Sequence, residues 1–236
     1  MGEFSGKVVA VTGASGNLGS VLVRQFAAEG ARLVLLDRTA EKLQKLSAEL
    51  GGESMSVTAD LADPASVDQL IRDVEARFGQ IDVLAHTVGG FESGATVYES
   101  EYEVMERMLN LNVRPVYVTA GRVARHMVEK SVRGKIVVVL ARSGLKGFAG
   151  GSAYTASKAA AQRVVESLAA EVRDKGIHVN AVMPSTIDSS ANRASMPNAD
   201  FSKWVTPDDI ANTILFLASD RGNAFYGSSL EVYGRA

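Results

Sequence analysis

Along almost its whole length the chain alternates short β-rich apolar runs with amphipathic stretches of helical period, and this alternation limits the fold more than any other feature. The predicted strands are Lys7–Thr12, Arg32–Asp37, Ser54–Ala59, Ile81–His86, Lys135–Ala141, His178–Pro184 and Ser229–Val232. Predicted helices fall between them at about Asn17–Glu29, Ala40–Leu50, Pro64–Phe78, Ser100–Lys130 with a break near Asn112, Ala153–Lys175 and Pro207–Ser219. Strands separated by helices pair in parallel, and the helices then cover both faces of the sheet. The expectation is therefore an α/β, doubly wound domain with a parallel sheet of about seven strands. With 236 residues, 46% of them hydrophobic, one domain over residues 1–236 can enclose the core. The stretch from 185 to 205 lacks periodicity and is expected to form a lid over a site.

The first strand-to-helix turn carries VTGASGNLGS, with Gly13, Gly16 and Gly19 spaced three apart. In an open parallel sheet that turn lies at the carboxyl edge, where ligands bind. Gly13 permits a tight turn, Gly16 lets a phosphate approach the backbone, and Gly19 lets the helix pack closely on the strand. A dinucleotide pyrophosphate is the ligand this arrangement suits, with Ser15, Asn17 and Leu18 beside it. Asp37 ends the second strand, where a carboxylate accepts hydrogen bonds from the adenosine ribose and repels a 2'-phosphate. The expected cofactor is NAD(H); Arg38, next in the chain, leaves NADP(H) open.

The second constellation is YTASK, with Tyr154 and Lys158 four apart on a predicted helix and hence on one side of it. A neighbouring ammonium stabilises a phenolate, so the tyrosine pKa is expected to fall from about 10 toward the working range. Such a pair can exchange a proton with a substrate while a nicotinamide moves a hydride.

Taken together, the glycine loop, Asp60-Leu61, Asn112 in LNLNVRP, the Tyr154/Lys158 pair and the VNAVMP run resemble the short-chain dehydrogenase/reductase family across essentially the whole chain. The resemblance implies a Rossmann fold, Tyr154 as catalytic acid/base, Lys158 binding the nicotinamide ribose and lowering the Tyr154 pKa, and Asn112 holding a water in a proton relay. Asp60, Leu61, Gly89, Pro184, Ile187 and Ser189 join the expected cofactor contacts. The departures are informative. The family's usual serine, 13 residues before the tyrosine, is Ala141; the usual Asn-Asn-Ala-Gly reads His86, Thr87, Val88, Gly89. Ser143 could replace the serine, since residues two apart on a strand share a face. The absent serine, the GGF stretch after the fourth predicted strand and the segment Ile187–Trp204 look like the quinonoid dihydropteridine reductases. The substrate is thus expected to be a small carbonyl or alcohol, or a quinonoid ring. Phe91, Met196 and Trp204 are expected to border it. A dinucleotide-binding sensor with weak catalysis is the non-enzymatic alternative.

Other features exclude more than they assign. A formal net charge of −2 offers no field for nucleic acid or an anionic membrane, and zero cysteines rule out disulfides and thiolate ligands. His126 and His178 lack acidic or histidine neighbours at ligand spacing, so no metal site is expected. His86 at a strand end is expected either to touch the cofactor or substrate or to be a hydrogen-bonded structural residue. Arg122, Arg125, Lys130 and Arg133 read as a solvated helix face. Neither a leader nor a run long enough to span a bilayer is visible, so a cytoplasmic protein is expected. The small, apolar helices around YVTAGRVA and ASKAAAQRVVESLAA suggest a homodimer or homotetramer.

Overall fold

Four of the central strand runs are buried at every position because helices cover both of their faces, whereas the two edge runs, SMSVT and SLEV, are only partly covered. In the computed structural model, which describes residues 2–236, they form one seven-stranded sheet in the order β3-β2-β1-β4-β5-β6-β7. The strands are β1 (Val8–Thr12), β2 (Arg32–Asp37), β3 (Ser54–Thr58), β4 (Val83–His86), β5 (Lys135–Val139), β6 (His178–Pro184) and β7 (Ser229–Val232), and every pairing is parallel. The helices are α1 (Asn17–Ala28), α2 (Ala40–Glu49), α3 (Pro64–Phe78), α4 (Glu103–Asn112), α5 (Arg114–Glu129), α6 (Ser152–Val172), α7 (Ser190–Ser195) and α8 (Pro207–Ala218).

Alternation along each strand divides the core in two. Val8 and Ala10 of β1, Leu84 of β4 and Ile136 and Val138 of β5 face α3, α5 and α6. Val9, Val11, Val83, Ala85, Val137 and Val139 face α1, α2 and α8. The order of the sheet reverses between β1 and β4, so the loops after these two strands open a crevice at its carboxyl edge.

The predicted break near Asn112 is present, where α4 ends and α5 begins beyond Val113. Pro115 in the first turn of α5 explains the restart, because a proline lacks the N–H that a continuous helix would need there. Several expectations need correction: β1 starts at Val8 rather than Lys7, β3 ends at Thr58 rather than Ala59, and β4 starts at Val83 rather than Ile81. The β5 strand ends at Val139 rather than Ala141, and Arg142–Gly144 form a 3-10 turn. The 185–205 stretch is not irregular throughout: Ser189 caps the short α7 by accepting from the Asn192 N–H, and Phe201–Lys203 make another 3-10 turn.

Candidate active site

The glycine loop is shaped by contacts that side chains would obstruct. Gly13 takes a φ of +64°, and a Cβ there would stand 2.7 Å from Thr87 Oγ1. A Cβ on Gly19 would overlap the Gly13 carbonyl oxygen, so α1 can begin this close to β1 only with glycine at that position. Gly16 caps α1 in an extended conformation and supplies no side-chain acceptor for the helix amides. The first N–H groups of α1 therefore suit an anion. Thr87 closes the loop from the other side: its N–H donates to Thr12 Oγ1 (3.0 Å) and its hydroxyl donates to the Thr12 carbonyl (2.6 Å). This staple between β1 and β4 was missed in the sequence, where Thr87 figured as a departure from an expected asparagine.

Asp37 stands beside the loop at the end of β2. Its Oδ2 accepts from the Ser15 N–H and hydroxyl, and its Oδ1 from the Arg38 N–H. Burial raises its pKa, but these hydrogen bonds from Ser15 and Arg38, with Lys42 nearby, outweigh burial and hold the carboxyl below its ordinary value. Asp37 is thus a fixed anion, half-buried, while the Arg38 side chain is exposed. Asp60 is exposed and accepts from the Ala62 N–H, and the Leu61 carbonyl accepts from Thr119 Oγ1.

Across the crevice, Tyr154 and Lys158 lie in the first two turns of α6. Asn112 at the end of α4 ties this helix to the β4 loop. Its Oδ1 accepts from the Gly90 N–H (2.9 Å), and its Nδ2 donates to the Gly90 carbonyl and to Ser157 Oγ, each at 3.0 Å. Gly89 sits against the same group, since a Cβ there would be 2.8 Å from Asn112 Oδ1 and 2.9 Å from Lys158 Nζ. The structure therefore gathers Gly89, Asn112, Tyr154 and Lys158 into one cluster. Ser157, which the sequence reading did not single out, belongs to it, and its hydroxyl also donates to the Tyr154 carbonyl.

The electrostatics of the pair run opposite to the sequence expectation for the tyrosine. Burial pushes Tyr154 up to about 12 and Lys158 down to about 8. Removal from water penalises phenolate and ammonium alike, and for Tyr154 that cost outweighs any help from the lysine. At neutral pH both side chains hold their protons, the tyrosine as a neutral phenol and the lysine as an ammonium.

Phe91 packs its ring edge-on against Tyr154, with centroids 4.8 Å apart, and is 64% exposed. The β4 loop that carries it is stitched to the loop before α6 by a hydrogen bond from the Gly94 N–H to the Gly150 carbonyl. Pro184 is buried at the end of β6, and Ile187 bridges to Val205 beyond it. In the lid segment Arg193 forms a two-point ion pair with Asp188 and lies over Phe201, whose ring meets Trp204 at 4.8 Å; Met196 is exposed. Ser143 does not share a strand face with Ala141, because the 3-10 turn intervenes. It borders a cavity of about 580 Å³ with Thr155, Ala156 and Ala159.

Elsewhere the histidines have separate fates. His126 is buried, accepts from the Ile81 N–H and meets Glu75 at 2.9 Å. His178 stacks on Tyr226. His86 is fully buried, yet neither ring nitrogen meets a hydrogen-bond partner, so the hydrogen-bonded structural role expected for it is not what the fold provides. Among the described residues no cluster of three His, Asp or Glu side chains is placed to hold a metal ion. Arg122 and Arg125 pair with Asp68 of α3, and Lys130 with Glu75. No helix among the described residues is long and apolar enough to cross a membrane.

Residues 7–200 match the family described as short chain dehydrogenase. The chain is 29% identical to the 3-oxoacyl-acyl-carrier-protein reductase FabG of Escherichia coli (strain K12) over 240 residues, covering 98% of each. It is 32% identical over 247 residues to the L-rhamnose 1-dehydrogenase (NAD(P)(+)) of Azotobacter vinelandii, covering 97% of this chain and 95% of that one. Among solved structures, NAD+-bound xylitol dehydrogenase superposes with a TM-score of 0.89 at 26% identity, covering 98% of this chain and 99% of the other.

Proposed function

The chain belongs to the short chain dehydrogenase family, and from that premise we propose that it transfers a hydride between NAD(H) and a small carbonyl or alcohol substrate. The observation that carries this reading is the placement of Tyr154 and Lys158 on one side of α6, beside Asn112 and Gly89, across the crevice from the glycine loop and Asp37. The donor set fits a dinucleotide: helix amides without a side-chain cap for the pyrophosphate, a fixed carboxylate for the adenosine ribose, and a buried ammonium for the second ribose. When bound, the nicotinamide supplies or accepts the hydride. Lys158 holds the ribose and provides positive charge next to Tyr154. Tyr154, protonated at neutral pH, delivers its proton to the oxygen of a carbonyl as that oxygen gains negative charge. Asn112 fixes the β4 loop against α6 and holds a water in the relay that returns the proton. Phe91, Met196 and Trp204 border the substrate.

A quinonoid ring such as a dihydropterin is the second reading, favoured by Ala141. A side-chain donor to a substrate oxygen contributes about 100-fold to 1000-fold in rate where the transition state concentrates charge there. A ring that spreads charge over several heteroatoms has less use for one. The deciding experiment measures NADH oxidation by the purified protein with a panel of ketones, quinones and a quinonoid dihydropterin. Turnover with one class assigns the substrate; tight NADH binding without turnover across the panel replaces the enzyme reading with that of a dinucleotide sensor.

NADH is expected to bind at least about tenfold more tightly than NADPH, or roughly 1.4 kcal/mol, because the Asp37 anion faces the position of a 2'-phosphate. Asp37→Ser should narrow that gap in fluorescence titrations of both cofactors, and a tighter NADPH complex in the parent would remove the argument. Self-association is proposed through the outer faces of α5 and α6, where Tyr117 is 68% exposed beside a groove of about 540 Å³ that Val118, Gly121, Val164 and Leu168 help to line. Light scattering at micromolar concentration should give a dimer or tetramer mass; a monomer would refute it.

A further inference from the structure

His86 ends β4 with no exposed surface, and its register neighbours are Thr12 on β1 and Val138 on β5. Strand alternation turns its side chain to the face shared by Leu84, the side of the sheet on which α6 carries Lys158. A neutral imidazole has one donor and one acceptor nitrogen, and leaving either unpaired away from water costs about 1–3 kcal/mol. At the end of an apolar strand an aliphatic residue would avoid that cost. Both ring nitrogens nevertheless lack a protein partner. The polar group that acts on the ring is Lys158. Three residues further along the chain, the Cβ position of Gly89 is 2.9 Å from Lys158 Nζ, so the β4 end and the ammonium are packed together.

We propose that His86 is a positioning residue for Lys158: one internal water accepts a hydrogen bond from the Lys158 ammonium and donates one to the acceptor nitrogen of the neutral His86 ring. The ring thereby orients the ammonium and favours its charged form. Burial first, and the Lys158 charge second, hold His86 down at about 3, so the ring remains an acceptor at every working pH. Its register neighbours are uncharged, Thr12 from β1 and Val138 from β5. The two groups the water would join, the ammonium and the ring nitrogen, supply the minimum of two polar partners that a buried water keeps. The catalytic meaning of the contact rests on the proposed function; the contact itself does not.

The test follows the titration of Lys158 in protein labelled with 13C-lysine, its signal identified by its loss in Lys158→Met. The parent should titrate near about 8. His86→Leu should lower that midpoint by about one pH unit, and His86→Gln, which restores an acceptor, should recover at least half of the shift. An unchanged midpoint in folded His86→Leu overturns the proposal. Should His86→Leu fail to fold, the 15N shift of the His86 acceptor nitrogen is compared in the parent and in Lys158→Met; a shift that does not move also overturns it. Because these readouts need neither cofactor nor substrate, a His86-dependent titration in a protein inactive across the substrate panel would sink the proposed function and leave this inference standing.

Discussion

Tyr154→Phe is expected to lower kcat at least tenfold, about 1.4 kcal/mol of transition-state stabilisation, while NADH affinity stays close to that of the parent. The substitution keeps the ring that meets Phe91 and removes only the hydroxyl, so a fall in turnover reports on the proton rather than on packing. The loss should be larger on a simple ketone than on a quinonoid ring. Ala141→Ser should raise turnover on the ketone alone. The pH dependence follows from the two pKa values. The phenol keeps its proton to about 12 and the neighbouring ammonium is lost above about 8, so carbonyl reduction should be level below pH 8 and decline above it. Alcohol oxidation needs the phenolate and should rise with pH. Parent-like turnover in Tyr154→Phe would mean that the chemistry lies elsewhere.

Lys158→Met is expected to divide function from stability. Turnover should fall at least tenfold, since both cofactor grip and proton transfer depend on the ammonium. Thermal stability at pH 7 should nevertheless increase. Lys158 titrates at about 8 in the folded chain against an ordinary 10.5. At pH 7 both folded and unfolded chains hold this proton, and the folded one bears the whole penalty of a buried ammonium. As pH climbs through 8 the folded amine sheds its proton and the penalty shrinks, until the unfolded chain follows near 10.5. Stability attributable to this group therefore rises with pH across that window. A buried methionine of similar shape avoids the penalty, so a gain of about 2–3 kcal/mol, or about 5–10 °C in Tm, should appear at pH 7 and fade toward pH 10.5. Calorimetry at both pH values measures it; a lower Tm than the parent at pH 7 would contradict the account.

What the sequence revealed of this molecule depended on whether the cause was local. The limits of β2, β6, β7 and α3 coincide with expectation, and for α3 the cause is local: Asp63 caps it before Pro64, and Gly79 ends it. The Ile81 start placed on the fourth strand was too early. Asp82 at its entrance is tied by its side chain to the Val8 N–H and to Gln80, a contact 74 residues away in the chain that no window of sequence contains. The short α7, SANRAS, carries no apolar period. It forms where Ser189 caps it and Asp188 pairs with Arg193. Within the candidate site, the placement of Tyr154 and Lys158 on one side of a helix was legible from their spacing, and that of Asn112 only from resemblance. The direction of the tyrosine pKa was not, because spacing on a helix reports which groups are neighbours but says nothing about how much water both have lost. The isolation of the His86 ring was hidden for the same reason.

The Thr12–Thr87 staple has a consequence for how the protein is made. β1 lies between β2 and β4, and its turn is held by hydrogen bonds to a residue 75 positions later. A ribosome adding about 5–20 residues per second needs several seconds to deliver that partner. During that interval the nascent chain has β1, β2 and β3 in hand, with one side of β1 still unpaired and the glycine loop braced from one direction alone. The glycine loop, although encoded within the first twenty residues, is braced from both sides only after roughly the first ninety have been added, so its final shape belongs to a later stage of folding than its place in the chain suggests.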